Sequence, residues 1–258
     1  MSANTDFSGD EVPKFNFDNK IGGIYIFECN LICETGQYHK ERNMPNEDHA
    51  SSAQNGQLAV MAISDGAGAM GNGGVAAAVV SNALCKELFE KFQEYYFSDG
   101  NTAKRKLALL TNQLLTEYSQ NNNIDPSSLA CTIMLAAVDN TGRCICFHLG
   151  DGIILRRKKN HESWDVVSSP RNGVQSNTTY LTMNCEMWNN LQFYRWKDPE
   201  HESLLLLTDG ASNHLIYRTG SIGWQFTSSC EVNMQSIKQY IDAKNPDDDY
   251  TCGLITLK

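Results

Sequence analysis

Acidic side chains recur in this sequence at turns that border apolar runs. The clusters are Glu47-Asp48, Asp65-Gly66, Asp151-Gly152, Asp209-Gly210 and Asp247-Asp248-Asp249. Carboxylates at strand ends can converge at one end of a sheet, where several of them and a backbone carbonyl suit Mg²⁺ or Mn²⁺. Each glycine permits a sharp turn and leaves the neighbouring peptide groups open to a ligand. The pattern therefore predicts a metal centre, although a single Asp-Gly pair is more often a plain turn.

The stretch ISDGAGAMGNGG supports a competing interpretation, because residues 66–71 match the glycine pattern of a dinucleotide-binding turn. That fold needs a βαβ unit of about 30 residues and an acidic residue about 20 positions on. Here two helices are predicted in succession, over residues 75–97 and 103–118, and no strand follows until about residue 129. An aspartate before the first glycine would also repel a pyrophosphate. The sequence favours the metal.

The elements that must position these carboxylates follow from periodicity and turn residues. Strands are predicted over residues 21–34, 56–66, 129–139, 143–157 and 202–209 and at the C-terminus, and a weak helix over residues 232–243. Residues 36–50 are predicted to be a polar loop. Strands joined by tight turns and interrupted by helices indicate an α+β domain built from antiparallel sheets.

Composition narrows the class of protein. The chain has 258 residues and a net charge of −9, so its overall field disfavours binding to nucleic acid or to an anionic membrane. No stretch approaches the roughly 20 apolar residues of a membrane span, and the polar N-terminus has no signal core. We predict a flexible tail over residues 1–19, a single domain over residues 20–258 and a cytoplasmic location. The nine cysteines form no C-x-x-C pair, which favours reduced thiols over disulfides or zinc.

The ordered set of acidic motifs resembles the metal-dependent serine/threonine protein phosphatases (the PPM family, type 2C), and its bacterial members in particular. That family carries an N/M-[EQ]-D turn, a D-G after a strand, a G-S/C-T stretch, a G-D-S turn, a T-D-G turn and a closing D-[ND]-x-T. The corresponding residues here are Asn46-Glu47-Asp48, Asp65-Gly66, Ala130-Cys131-Thr132, Gly150-Asp151-Gly152, Thr208-Asp209-Gly210 and Asp248-Asp249-Tyr250-Thr251. The resemblance extends from about residue 20 to the C-terminus.

The resemblance implies a four-layer α-β-β-α sandwich, two antiparallel sheets flanked by helices, with two Mn²⁺ or Mg²⁺ ions in a cleft at one end. By the same resemblance Asp65 bridges the two metals. Asp209 and Asp248 hold one of them, and Glu47 and the Gly66 carbonyl hold the other. Two further residues are implied at this site: Asp48, which acts through bound waters, and Asp151, which helps to bind a third metal.

The resemblance also implies the reaction. A hydroxide that bridges two metals attacks the phosphorus of phosphoserine or phosphothreonine, so no protein nucleophile is needed. The expected partner is a phosphorylated protein, and the expected role is to reverse serine/threonine kinase signalling.

The sequence departs from that family in three places. A phosphate-binding arginine is expected shortly before the first acidic turn, but Arg42 lies one residue too far upstream. Either Pro45 is an extra residue that accounts for the longer spacing, and Arg42 still binds phosphate, or Arg42 is an ordinary surface arginine. Many members have a histidine, a candidate general acid, after the first D-G, where this chain has Ala67. The usual G-D-S is G-D-G here, which keeps the small third residue.

The six histidines form no zinc pattern such as H-E-x-x-H. His49 adjoins Asp48 and is the histidine expected nearest to the metals. His148 lies in an apolar strand and is expected in the core. The remaining four are expected on the surface or in loops: His39, His161, His201 and His214.

Two other functions remain open from the sequence. The displaced Arg42 and Ala67 suit a phosphatase-like binding or regulatory module with little catalysis, although such a module need not keep a costly acidic cluster. A metal-dependent hydrolase of small phosphoesters would use the same carboxylates.

Overall fold

A computed structural model describes residues 14–16, 27–159, 161–171, 179–182, 187–198, 201–219, 223–227 and 233–257. Within the predicted tail, Lys14–Asn16 forms a short strand. The other residues of the tail lie outside the described part of the chain. The domain boundary at residue 20 therefore stays a prediction.

The first sheet, sheet A, has six strands in the order β1-β3-β4-β5-β6-β9. Its strands are β1 (Lys14–Asn16), β3 (Asp48–Gln54), β4 (Leu58–Asp65), β5 (Ile133–Asp139), β6 (Arg143–Leu149) and β9 (Gln192–Lys197). Strand β1 pairs with β3 in parallel, and all the other neighbours pair antiparallel.

The second sheet, sheet B, is antiparallel and has five strands in the order β2-β13-β10-β7-β8. Its strands are β2 (Phe27–Glu34), β7 (Ile153–Lys158), β8 (Asp165–Ser168), β10 (His201–Leu207) and β13 (Tyr250–Leu257). A separate hairpin pairs β11 (Ile216–Thr219) with β12 (Gly223–Phe226).

Six α-helices accompany the sheets in the described part of the chain. They are α1 (Gln37–Arg42), α2 (Gly73–Phe97), α3 (Gly100–Asn122), α4 (Met187–Asn190), α5 (Asp209–Leu215) and α6 (Met234–Asp242). None of the described helices combines the length and the apolarity that a bilayer crossing requires.

Three apolar clusters define four layers. Alternate residues of β4 separate two of the clusters: Val60 and Ala62 pack with α2 and α3, whereas Met61 and Ile63 pack against the apolar residues of sheet B. The third cluster joins the outer face of sheet B to α5 and α6. The order of layers is helices, sheet A, sheet B and helices, so the predicted α-β-β-α sandwich is confirmed.

The prediction for residues 36–50 was wrong. They contain α1 and the start of β3 rather than a continuous polar loop. Residues 209–215, where the sequence predicted only the end of a strand at Asp209, form α5. Both short helices lie next to the acidic clusters, so they affect the site directly.

Candidate metal centre

The acidic clusters come together because the strands of both sheets end in the same region. Asp65 ends β4 and lies directly across the ladder from Asp48, the first residue of β3. Side chains alternate along a strand, so Asp65 shares the face of Met61 and Ile63 that looks towards sheet B. From sheet B, Asp209 follows β10 and opens α5.

Three carboxylates form the centre of this region, and we call Asp65, Asp151 and Asp209 the acidic triad. Each offers one carboxylate oxygen, and these oxygens all lie within 4.8 Å of one another. Thr179 fixes Asp151 by donating its hydroxyl hydrogen to Oδ2 at 2.5 Å. The Oδ1 atom of Asp209 is buried and has no hydrogen-bond partner among the described residues.

Burial and mutual repulsion raise the pKa values of two carboxyl groups of the triad, Asp65 and Asp209. Desolvation raises the pKa of Asp65 well above its ordinary value, and the charges of Asp48, Asp209, Asp151 and Asp248 raise it further. Desolvation, with Asp151 and Asp248 nearby, raises the pKa of Asp209 to about 6. Like charges held this close are costly without a cation. The orphaned oxygen of Asp209 and this repulsion both fit a divalent metal.

Asp48 is buried beside the triad and is held by hydroxyl groups. Thr208 donates its hydroxyl hydrogen to Oδ2 of Asp48 at 3.0 Å and accepts the N–H of Thr251 at 2.9 Å. Desolvation raises the pKa of Asp48 well above its ordinary value, whereas the bonds from Thr251 and Thr208 oppose that shift. This carboxyl group is oriented from sheet B although it belongs to sheet A.

Asp249 ties the first acidic turn to the last one. Its Oδ1 accepts the N–H of Gly36 at 2.8 Å, and its Oδ2 accepts the N–H of Glu47 at 2.6 Å. The same Oδ2 lies 2.8 Å from Nδ1 of His39. Asp249 itself donates its backbone N–H to Oδ1 of Asp248 at 2.9 Å. Asp249 therefore positions two predicted metal ligands: its carboxylate holds the backbone of Glu47, and its backbone N–H holds the side chain of Asp248.

Close backbone packing explains the glycines after Asp65. A Cβ atom on Gly66 would lie 2.2 Å from the carbonyl carbon of Gly73, in the first turn of α2. A Cβ atom on Gly68 would lie 2.0 Å from Oε2 of Glu47. The turn therefore serves the acidic centre and the helix together, and the dinucleotide interpretation is not needed to account for its glycines.

Comparison with known proteins agrees with this arrangement. The family profile described as "Protein phosphatase 2C" matches residues 35–244. This chain belongs to the protein phosphatase 2C family. The predicted enzyme class, a protein serine/threonine phosphatase, is the class of that family. No sequence among the curated proteins matches the chain.

Solved bacterial structures share the fold. A bacterial serine phosphatase is 16% identical, with a TM-score of 0.63, over 90% of this chain and 98% of that chain. The serine/threonine phosphatase Stp1 from Staphylococcus aureus is 14% identical, with a TM-score of 0.60, over 94% of this chain and 100% of that chain. PppA of Pseudomonas aeruginosa, a key regulatory component of T6SS, is 15% identical, with a TM-score of 0.61, over 91% of this chain and 99% of that chain.

Most of the residues predicted for the metals of a protein phosphatase 2C gather at this end of the fold. Asp65, Asp151 and Asp209 form the triad, and the charges of Asp48 and Asp248 act on it directly. Glu47 adjoins through its peptide N–H bond to Asp249. The Gly66 N–H donates to the carbonyl of Glu47 at 3.1 Å, and the Gly66 carbonyl as a metal ligand stays a prediction.

Arg42 is not brought to the acidic centre. It lies exposed at the end of α1, donates from Nη1 to the carbonyl of Tyr38 at 3.0 Å and stacks 3.8 Å from the centre of the Tyr38 ring. The geometry thus matches the surface-arginine alternative more closely than a phosphate contact.

The histidines are placed differently from the expectation. His39, expected on the surface or in a loop, is 8% exposed and bonded to Asp249, because α1 turns its ring inward. His49, expected nearest to the metals, lies 2.8 Å from the hydroxyl of Ser81 in α2, because alternation on β3 directs it away from Asp48. His148 is a core histidine, as predicted, and desolvation lowers its pKa to about 3.

Sequence reasoning missed His39 and the role of Asp249. The signal for Asp249 was present in the final acidic run, where Asp249 is the third aspartate and matches the second position of the family motif. No local signal marks His39, since its partner lies 210 residues away in the chain. The predicted reduced thiols are supported for the described cysteines, which form no disulfide with one another: Cys29, Cys33, Cys85, Cys131, Cys144, Cys146 and Cys252.

Proposed function

We propose that this chain hydrolyses phosphoserine and phosphothreonine in proteins with two divalent metal ions held at the acidic centre, and with a third ion near Asp151. The observation that carries the proposal is the convergence of Asp65, Asp151 and Asp209 from both sheets within 4.8 Å. Carboxylates held this close repel one another, and bound cations would remove that repulsion. The family of the chain supports the phosphomonoester as substrate.

The proposed division of ligands is the one that the family resemblance implies, and the proximity of these side chains supports it. Asp65 is shared by two Mn²⁺ or Mg²⁺ ions, Asp209 and Asp248 complete one site, and Glu47 with the Gly66 carbonyl completes the other. Bound ions of this kind activate water and offset charge on a phosphoryl group.

The protein's own groups prepare this site. Thr208 keeps the Asp48 carboxylate in one orientation, which suits a residue that holds waters rather than a metal directly. Asp249 fixes the backbone of Glu47 and the side chain of Asp248 through the N–H bonds described above. Ala67 carries no proton-transfer group, so protonation of the leaving group falls to another group.

The direct test is hydrolysis of p-nitrophenyl phosphate and of a phosphothreonine peptide with Mn²⁺. We expect metal-dependent turnover that Asp65→Asn lowers by at least about 100-fold, because a charged and shared ligand is replaced by a neutral amide of the same shape. The matched control is Asp165→Asn, an exposed aspartate on β8 that should leave turnover unchanged. Wild-type activity no higher than that of Asp65→Asn would refute the proposal.

A second function, a binding or regulatory module with little catalysis, is favoured by the orientation of Arg42 and by Ala67. Calorimetry with Mn²⁺ separates the two. A phosphatase should bind at least two ions, whereas the module predicts weak or single-site binding. Nucleotide substrates in the same assay test the small-phosphoester alternative.

The biological setting is also part of the proposal. A phosphorylated protein is the expected substrate, and a serine/threonine kinase would supply that phosphate group. The cytoplasmic location stays a prediction from the cysteine pattern and the polar N-terminus.

A further inference from the structure

His39 occupies a position that the motifs of the family do not include. It lies on the inward side of α1, 8% exposed, whereas its neighbour Tyr38 is 50% exposed on the outward side. The ring reaches the acidic centre between the carboxylates of Asp249 and Glu47. A buried imidazole between two carboxylates needs a chemical explanation.

The bond to Asp249 fixes the tautomer of the ring. Oδ2 of Asp249 lies 2.8 Å from Nδ1 of His39. A carboxylate oxygen only accepts, so Nδ1 carries the hydrogen and, in a neutral imidazole, Nε2 carries the lone pair. Asp249 is itself fixed by two backbone N–H groups, those of Gly36 and Glu47, so the ring is held by a rigid partner.

The second ring nitrogen faces another acceptor. Nε2 lies 3.7 Å from Oε2 of Glu47, and it has no hydrogen bond among the described residues. A charge-assisted N–H···O bond would close to about 2.7–2.9 Å. The gap instead leaves two electron-pair donors 3.7 Å apart. A cation between them would satisfy both.

The spacing is compatible with a shared metal ion. Ligand bonds of about 2.1 Å place adjacent ligands of an octahedral ion about 3 Å apart and opposite ligands about 4 Å apart. The 3.7 Å separation of Nε2 and Oε2 lies between those two values. A small movement of the Glu47 side chain would adjust it.

We propose that Nε2 of His39 is a ligand of the divalent metal that Glu47 holds. The inference rests on the metal centre of the proposed function and goes beyond it, because all the ligands named above are oxygen atoms. Asp249 then acts as the outer partner that orients a metal-binding histidine, an arrangement common around protein metals.

A nitrogen ligand changes which ion this site prefers. Carboxylate, carbonyl and water ligands suit both Mg²⁺ and Mn²⁺, whereas imidazole suits transition-metal ions, of which Mn²⁺ is the weakest binder in the divalent series. The Glu47 site should therefore select Mn²⁺ over Mg²⁺ more strongly than an all-oxygen site would. His39→Gln should reduce Mn²⁺ affinity at this site by at least about tenfold and narrow the preference for Mn²⁺ over Mg²⁺.

Pulsed electron paramagnetic resonance of the full chain loaded with Mn²⁺ tests the ligand directly. We expect the echo modulation of a directly bound ¹⁴N nucleus, and we expect labelling with ¹⁵N-histidine to replace it with the ¹⁵N pattern. His39→Gln should abolish the modulation. His161→Gln, which removes an exposed histidine, should retain it. The labelling experiment needs no variant, so it shows whether a histidine is bound to Mn²⁺ even if His39→Gln does not fold, and retained modulation in His161→Gln and His49→Gln would then leave His39 as the histidine beside Glu47.

Bound Mn²⁺ without nitrogen modulation would overturn the inference and would favour a protonated His39 that bridges the two carboxylates. Turnover of p-nitrophenyl phosphate by the same sample separates this result from the proposed function. An active sample without nitrogen modulation refutes the ligand alone. An inactive sample with nitrogen modulation refutes the phosphatase proposal and keeps the ligand.

Discussion

At the scale of single residues, the acidic centre combines groups of the same charge that the fold keeps together at a cost. Asp65 and Asp48 are opposite each other in one ladder, and Asp209 arrives from the other sheet. Desolvation is the largest cause of the raised pKa of each of these three carboxyl groups. The ionised forms of these three carboxyl groups are thus costly on their own, and a bound cation would stabilise them.

Gly68 gives a sharp test of the Glu47 site. The Cβ atom of Gly68→Ala would lie 2.0 Å from Oε2 of Glu47, so the carboxylate end must move. That end is flexible, and we expect little loss of thermal stability but an approximately tenfold loss of Mn²⁺ affinity. Calorimetry and a thermal melt measure the two effects. Ala69→Ser, at the exposed neighbouring position, is the control, and unchanged Mn²⁺ affinity in Gly68→Ala would contradict Glu47 as a ligand.

For Arg42, in contrast to Gly68, we predict that a substitution has almost no effect. Its guanidinium group stacks on Tyr38 and is exposed, so we expect Arg42→Ala to change kcat/KM for a phosphothreonine peptide by less than about threefold, the level of an exposed contact. Steady-state kinetics with Mn²⁺ measure this ratio. A loss near 100-fold would mean that Arg42 leaves Tyr38 to bind the phosphate, as the resemblance implies.

At the scale of elements, the turn between β4 and α2 couples the metal centre to the helical layer. A Cβ atom on Gly73 would lie 2.5 Å from the backbone nitrogen of Ala67 and 2.6 Å from the carbonyl carbon of Gly66. Both contacts are with backbone atoms, so Gly73→Ala must open the turn that follows Asp65. We expect a loss of about 2 kcal/mol in the free energy of unfolding, together with weaker Mn²⁺ binding.

Denaturant unfolding with and without Mn²⁺ measures this effect. The matched control is Gly100→Ala in the first turn of α3, where the added Cβ would meet only the ring of Phe193, at 3.2 Å. Equal stability of the two variants would show that the turn is adaptable and that its glycines are not required by packing.

Elements with a strong internal pattern could be predicted from the sequence, whereas those fixed by their neighbours could not. The long helices were predicted near their bounds because Leu84, Leu88 and Phe92 repeat at helical spacing and are buried. Strand β3 was not predicted, because its buried residues are small or polar, such as Ser51 and Ser52, and give no apolar alternation in the sequence. They are buried because other elements pack over them. Intrinsic propensity gives way to tertiary context there.

The residues of the candidate site can be separated in the same way, into those that the sequence predicts and those that depend on distant contacts. Asp65 and Asp209 lie at the ends of strands that the sequence predicts, so their convergence could be expected from it. The position of His39 depends on a six-residue helix and on a bond to Asp249 across 210 residues. Neither the helix nor the bond leaves a periodic trace in the sequence.

At the scale of the whole molecule, a rise in pH should lower the stability of the metal-free chain, and bound metal should raise it. The pKa of Asp209 is raised to about 6, and those of Asp65 and Asp48 are raised well above their ordinary values. In the unfolded chain these groups titrate near about 3.9. Between those values these three carboxyl groups bind more protons in the folded state than in the unfolded state, so their contribution to the free energy of unfolding falls as pH rises. The lowered pKa values of His148 and His49 act in the opposite sense below about pH 6.5, and we expect the three carboxyl groups to outweigh them.

We therefore expect the chain, freed of metal with a chelator, to melt at a higher temperature at pH 5 than at pH 7.5. Each kcal/mol of difference should shift the midpoint by about 2–4 °C. Added Mn²⁺ should raise the midpoint at pH 7.5 more than at pH 5, because it binds the ionised carboxylates of the folded state alone. Asp209→Asn removes one of the titrating groups and should flatten the pH dependence of the metal-free chain. A metal-free midpoint that rises from pH 5 to pH 7.5, or one that Mn²⁺ does not move, would mean that these carboxylates are not a strained, cation-binding group.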